Sequence, residues 1–302
     1  MTASNQPKTV LITGCSEGGI GDALAQEFHR RGLRVFASAR NLDKIKHLKE
    51  AGIQVLRLDV QDKTSIEAAV EELSEATGGT LDILVNNSGV GYMMPLLDAD
   101  IDEARKLFDV NIWGTLAVTQ ACAPLLRATA DRDLPARIVN IGSVTSRMQV
   151  PWQGVYNASK AALHMLNDTM RIEFASLNIE VLHVVTGGIA TKFFNNASGA
   201  VLPEDSAYAE ARDVIESDVA GHAGIKSQTM SPEKYAEIVV SNTLSRWPTK
   251  SLWVGGRANL SWLGDRFLTP AISDWIISNY MGWSMGALKK RLRELRTKGQ
   301  GK

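Results

Sequence analysis

Tyr156 and Lys160 stand four residues apart in a helical pattern, which puts a phenol and an ammonium on one helix face. A free phenol gives up its proton near pH ~10, and a neighbouring cation favours the phenolate, bringing that value toward working pH. Such a pair can pass a proton to or from a substrate oxygen. The spacing alone is common, and a surface pair is the plain alternative. Its neighbours change the reading. Ser143 follows the run Arg137-Ile138-Val139-Asn140-Ile141-Gly142, Asn86-Asn87-Ser88-Gly89 closes another apolar run, and Asn111 lies in the long helical pattern after it. A second kind of chemistry sits near the start, in Thr13-Gly14-Cys15-Ser16-Glu17-Gly18-Gly19-Ile20-Gly21. This loop follows Thr9-Val10-Leu11-Ile12 and opens an amphipathic pattern at Ile20, Leu24 and Phe28. Glycine lets the backbone approach a pyrophosphate, and the unpaired N–H groups of a helix start receive its charge.

Apolar runs alternate with helical patterns around these groups. Strands are predicted at Thr9–Thr13, Arg34–Ala39, Gln54–Leu58, Leu81–Asn86, Arg137–Ile141 and Ile179–Val185, with a short one near Ser251–Val254 to finish the sheet. Helices are predicted at Ile20–Arg31, Leu42–Ala51, Ser65–Ala76, Ile101–Thr129 (bent near Asn111 or Pro124) and Val155–Leu177. The third has a capping-box start at Thr64-Ser65-Ile66-Glu67 and ends near Gly78-Gly79. Such alternation with short connections demands a parallel sheet covered on both faces. In that arrangement the strand ends carrying Ser143, Asn87 and the glycine loop gather on one edge.

The composition excludes several classes. Formal charge is zero, so no global field points to nucleic acid. Cys15 and Cys122 are the only cysteines, too few for a disulfide framework or a metal cluster. Five histidines, His29, His47, His164, His183 and His222, show no metal-ligand spacing, and His29 and His47 read as ordinary surface helix positions. Cys15 reads as a small structural residue of the loop. Residues 1–8 hold no apolar signal-peptide core. Sequons occur at Asn86, Asn157, Asn196 and Asn259, and glycans at the first two would block the cleft, which fits a protein that never folds in the secretory lumen.

Taken together, the glycine loop, Asn86-Asn87-Ser88-Gly89, Asn111, Ser143, Tyr156-x-x-x-Lys160 and Thr186-Gly187-Gly188-Ile189-Ala190-Thr191 resemble the short-chain dehydrogenase/reductase family over about residues 8–256. The phrase Pro151-Trp152-Gln153-Gly154-Val155-Tyr156 and the loop itself are similar to a fungal subgroup of NADPH-dependent 1-acyl-dihydroxyacetone-phosphate reductases. Tailoring ketoreductases of fungal secondary metabolism share these cues. The resemblance implies an α/β, Rossmann-type doubly wound fold, with a seven-stranded parallel sheet and helices on both faces. Residues 8–256 would form one NADP-binding catalytic domain, with 192–230 as a substrate lid and 257–302 as a helical, basic extension.

The same resemblance assigns roles. Tyr156 gives a proton to a forming alkoxide, Ser143 holds the substrate oxygen, Lys160 holds the nicotinamide ribose, and Asn111 holds a water linking Lys160 to solvent. The cofactor set is Gly14, Ser16, Gly19, Ile20, Gly21, Arg40, Asp59, Val60, Asn87, Gly89, Tyr156, Lys160, Ile189 and Thr191, with no metal. Cofactor choice is read after Val35-Phe36-Ala37-Ser38-Ala39. NAD requires a carboxylate there for the ribose 2′-hydroxyl; none is present, and Arg40 can pair with the 2′-phosphate of NADPH or NADP+. Two departures stand out. The loop has four residues between Gly14 and Gly19, one more than usual, and Thr186 stands where many members have proline. The second should loosen the turn before Ile189.

The expected activity is NADPH-dependent reduction of a lipophilic ketone, such as an acyl-dihydroxyacetone phosphate or a polyketide or terpenoid ketone. The alternatives are an alcohol dehydrogenase running oxidatively and a non-catalytic nucleotide-binding scaffold. From Lys192 to Met230 the pattern loosens, with one helix expected at Glu204–Glu216, before another starts at Ser231-Pro232-Glu233. From Trp247 onward the chain holds five of its seven tryptophans and ends in Lys289, Lys290, Arg291, Arg293, Arg296, Lys298 and Lys302, opposed only by Glu294. That pattern fits a helix lying on a membrane surface, or one packed on the core or on a second copy. The run Ile272–Leu288 is too short to span a bilayer. The chain is expected in the cytoplasm, or peripherally on the endoplasmic reticulum or a lipid droplet.

Overall fold

The computed structural model describes residues 7–131, 135–191, 193, 201–221, 229–280 and 285–299. Asn196, His222, Trp283 and Lys302 of the reading above lie outside these residues, as do positions 192, 194–200 and 222–228 of the 192–230 segment. Seven strands form one sheet: β1 (Thr9–Ile12), β2 (Arg34–Ala39), β3 (Gln54–Arg57), β4 (Ile83–Asn86), β5 (Ala136–Ile141), β6 (Ile179–Thr186) and β7 (Ser251–Val254). Their order is β3-β2-β1-β4-β5-β6-β7, and every pair is parallel. The order reverses between β1 and β4, which opens a crevice at their carboxyl ends.

The strands are apolar without alternation because both faces are covered. All of β1 and β4 is buried. Val10 and Ile12 face one core with α1 (Ile20–Arg30) and α8 (Pro232–Leu244), whereas Leu11 faces the other with α3 (Lys63–Thr77) and α5 (Thr115–Ala130). The remaining helices are α2 (Lys46–Glu50), α4 (Ile101–Phe108), α6 (Gly154–Glu173), α7 (Arg212–Gly221), α9 (Ala258–Phe267), α10 (Pro270–Tyr280) and α11 (Met285–Gly299). This is the doubly wound fold expected, a single domain followed by C-terminal helices.

Several boundaries differ from expectation. The start of α3 is set by Asp62, whose carboxylate accepts the Thr64 N–H, and not by Thr64. Ser65 is drawn away instead, its hydroxyl accepting the Asp59 N–H at 3.0 Å. Gly78 ends α3 at φ 65°, as its position predicted. Strand β4 begins at Ile83 because the Asp82 carboxylate is turned across to β1, accepting from the Thr9 backbone and hydroxyl. The helix expected at Glu204–Glu216 begins only with a tight turn at Ala209–Ala211. The Arg212 guanidinium binds the carbonyls of Leu202 and Pro203, which holds that stretch out of the helix.

The long helix predicted over Ile101–Thr129 passes Pro124 unbroken and is interrupted at Asp109–Gly114, where one turn widens to π geometry. Asn111 sits in that turn.

Candidate active site

A cleft runs along the carboxyl ends of β1, β2, β4, β5 and β6. Gly14, Ser16, Gly19, Ile20, Arg40, Asp59, Val60, Asn87, Gly89, Ser143, Tyr156, Lys160, Ile189 and Thr191 all line it. Gly21 and Asn111 stand behind the wall.

The glycine loop is shaped from beneath. Gly14 and Gly18 take positive φ of 73° and 72°, open to glycine and strained for other residues. The Asn87 amide donates to the carbonyls of Thr13 and Gly14, both at 2.9 Å, tying the end of β4 to the loop. A Cβ on Gly21 would meet Asn87 Nδ2 and Gly14 O at 2.5 Å, so this glycine allows the tie. Asp22 closes the loop from the helix side, accepting the Gly18 N–H at 2.8 Å. Its other oxygen meets His47 Nε2 at 2.9 Å. His47 is therefore part of the loop's support, which its surface-like sequence position hid. Gly19 caps α1 with no side chain over the helix end, leaving the first-turn amides to face the cleft as an anion site. The fit to a dinucleotide phosphate is good: a positive-φ loop, an open helix start and no carboxylate lining the cleft beside them except Glu17 and Asp59. Asp59 itself accepts the Gln61 N–H. Cys15, buried and donating to Ile12 O, lies under the loop, where burial pushes its thiol up to about 12.

At the end of β2, Arg40 is exposed and makes no hydrogen bond or ion pair among the described residues. Lys44 lines the same end of the cleft. Sequence reasoning missed it because it lies five residues past the strand, in a turn that returns to the loop through Glu17 N–H and Lys44 O.

At the other end, Tyr156 and Lys160 project from α6, and both are buried. Lys160 Nζ donates to Ile141 O at 3.2 Å and lies 5.8 Å from the Tyr156 ring centre. Burial pushes the Tyr156 hydroxyl up to about 12, opposed by its hydrogen bond with Ser143. Burial also pulls the Lys160 ammonium down to about 8. The expected depression of the phenol is thus reversed here, because desolvation outweighs the hydrogen bond with Ser143. Ser143 caps a short turn, its hydroxyl accepting from Thr145 N–H and Oγ1. Asn111, 1% exposed, accepts the Val90 N–H and donates to Val90 O and Ser159 Oγ. Gly89 brings the two neighbourhoods together: its missing Cβ would lie 3.3 Å from Asn111 Oδ1 and 3.6 Å from Lys160 Nζ.

Thr186 does not loosen its turn. Its hydroxyl shares a 2.7 Å hydrogen bond with the buried Tyr235 of α8, which fixes the chain where proline's ring would otherwise do so. Behind Ser143 lies His183, 1% exposed and edge-on to His164 with ring centres 4.4 Å apart. A Cβ on Gly142 would stand 2.0 Å from His183 Nε2. Gly142→Ala should therefore lower stability by about 1–3 kcal/mol, the usual result of overpacking. In a His183→Ala background the same change should cost much less, read by urea unfolding. Equal costs in both backgrounds would show that the ring is not the obstacle.

The short chain dehydrogenase family model matches residues 8–200. The chain belongs to the short-chain dehydrogenase family. It is 45% identical over 240 residues to the short-chain dehydrogenase PC-15 of Penicillium crustosum, covering 79% of this chain and 85% of that one. It is 40% identical over 213 residues to an NADPH-dependent 1-acyldihydroxyacetone phosphate reductase of Schizosaccharomyces pombe, covering 69% and 70%. A short-chain dehydrogenase structure from Streptomyces avermitilis superposes with a TM-score of 0.72 at 26% identity, covering 99% of each chain. This short-chain dehydrogenase is thus an oxidoreductase of a family that uses a nicotinamide dinucleotide on small substrates.

Proposed function

We propose that the protein is an NADPH-dependent carbonyl reductase of lipophilic ketones, with Tyr156 as proton donor. The observation that carries this reading is one cleft with a buried Tyr156–Lys160–Ser143 group at one end and Arg40 with Lys44 at the other. Of the turn after β2, the two cations Arg40 and Lys44 line the cleft and the carboxylate Asp43 does not, which favours a 2′-phosphate over a free ribose hydroxyl. The glycine loop and these cations would hold NADPH, which when bound would supply the hydride to the carbonyl carbon. The chain's own part is the proton. Ser143 holds the carbonyl oxygen where charge develops, and Tyr156 delivers its proton to that oxygen. A phenol raised to about 12 stays protonated at neutral pH, the form a donor needs. Lys160 supplies positive charge beside it and would hold the ribose, and Asn111 fixes the backbone of Val90, the residue after the Gly89 that approaches that ammonium.

The Tyr156 end of the cleft is lined by the apolar Val90 and Phe193, and behind them Tyr92, Met93, Met94, Trp152 and Leu202 form a buried cluster that includes Tyr156. An acyl-dihydroxyacetone phosphate, or a polyketide or terpenoid ketone, fits such a wall. The Schizosaccharomyces pombe relative named for the former reaction supports it, and a lid role for the 192–230 segment accords with Leu202, which joins that cluster.

The oxidative direction is the second reading, and pH separates the two. Reduction uses the protonated phenol, so its rate should hold through neutral pH and fall as Lys160 discharges above about 8. Oxidation uses the phenolate and should rise with pH over the same range. Turnover of a panel of ketones with NADPH, and of the product alcohols with NADP+, tests both. If no ketone is reduced at neutral pH while an alcohol is oxidised there, the reductase reading fails. If neither reacts although NADPH binds, the protein is the non-catalytic scaffold.

A further inference from the structure

The C-terminal helices carry a surface that the cleft chemistry does not use. Seven of the seventeen exposed large apolar side chains among the described residues fall between Leu260 and Trp275. On α9, Leu260, Leu263 and Phe267 recur at helical spacing on one face, with Trp262 beside them, while Ala258 and Ser261 are buried on the other. On α10, Ile272 and Trp275 face water, whereas Ile277 is buried in the cluster that holds Trp152 and Tyr156. Phe267 is 71% exposed, Leu260 66% and Trp275 57%, far more than a soluble helix needs to leave uncovered. A hydrogen bond also ties this pair of helices to the candidate site. Gln149, between Ser143 and Tyr156, donates to Asp274 of α10 at 2.9 Å.

Charge selects the occupant. From Arg257 onward the chain holds nine Lys and Arg residues against Asp265, Asp274 and Glu294, although its total formal charge is zero. Lys289, Lys290, Arg291 and Arg293 are exposed on α11, and Arg291 reaches an acid of the main domain, Asp213 at 2.8 Å. A symmetric contact between two copies through this region would set two like-charged segments against each other. An anionic lipid surface takes both features at once: tryptophans and leucines at the headgroup boundary, and cations toward the phosphates. We propose that α9 and α10 form a docking face for an anionic phospholipid bilayer, with α11 as its cationic counterpart. Among the described residues no helix is long and apolar enough to cross a membrane, so the contact is peripheral.

The attractions of basic side chains near such a surface add, so several hold what one short apolar face would not. The test is sedimentation of the full chain with vesicles of phosphatidylcholine alone and of phosphatidylcholine with phosphatidylserine. The chain should pellet with the anionic vesicles at low salt and be released as salt screens the charge. Leu263→Glu with Phe267→Glu should weaken binding at least about tenfold, since a charge placed at the hydrocarbon boundary costs more than 1.4 kcal/mol. Both side chains are exposed, so melting temperature and turnover of a soluble ketone should stay at wild-type values. Lys289→Gln with Lys290→Gln should weaken binding and flatten its salt dependence. The proposal is overturned if the full chain ignores anionic vesicles at low salt, or if the Glu pair binds them as well as wild type. It is also overturned if the Glu pair instead halves the mass in sedimentation velocity, which would make the face a contact between copies.

Discussion

Tyr156→Phe should lower the turnover rate by about 10²–10⁴-fold, the usual worth of a positioned general acid. The change keeps the ring, which packs against Phe193 with centres 5.9 Å apart, so the apolar wall survives. What goes is the hydroxyl and its bond to Ser143. NADPH affinity should move little, because Lys160 keeps its hold on Ile141 O and the glycine loop is remote from the phenol. Steady-state rates with NADPH, together with NADPH titration by fluorescence, separate the two quantities. A variant that retains more than a tenth of wild-type turnover, with chemistry rate-limiting, removes Tyr156 as the donor.

Arg40→Ala should weaken NADPH binding by roughly 10–100-fold while NADH binding barely changes, because a charge-assisted contact is worth ~1.5–3 kcal/mol. Lys44 at the same end of the cleft sets where in that range the loss falls. A 2′-phosphate shared between two cations loses less when one is removed, so Arg40→Ala with Lys44→Ala should exceed either single change. Equal losses for NADPH and NADH would mean that the arginine shapes the loop and does not read the phosphate. The measurement is direct titration with each cofactor at fixed ionic strength.

The sheet was legible because a doubly covered parallel strand has to be apolar throughout, as Val10-Leu11-Ile12 and Ile83-Leu84-Val85 are. The cleft residues were legible for a related reason: parallel strands put their following residues on one edge, so Asn87, Ser143 and the glycine loop had to meet. Less was readable where one side chain overrides a local pattern. Thr64-Ser65-Ile66-Glu67 reads as a capping box, yet Asp62 two residues earlier takes the cap and Ser65 serves the preceding loop. Glu204–Glu216 reads as helix until Arg212 claims the carbonyls before it. Long-range partners were invisible for the same reason. Nothing in the sequence near Thr186 announces Tyr235, and nothing near Gly18 announces that His47 steadies Asp22. The depressed phenol expected for Tyr156 failed on burial, a property of the folded cleft that spacing does not carry.

The wide turn at Asp109–Gly114 has a further meaning for how this chain can change by insertion and deletion. A π turn is an α-helix holding one residue more than its hydrogen-bond ladder can use. Deleting one residue there would let α4 and α5 join as a continuous α-helix with the ladder bonds of that turn restored. Local backbone bonding would improve. Each residue of a helix turns it by about 100°, however, so the same deletion would swing Asn111 away from Val90 and Ser159 or rotate α4 out of register with the rest. At this point in the chain the most regular helix and the most ordered site are different molecules, and the sequence encodes the second.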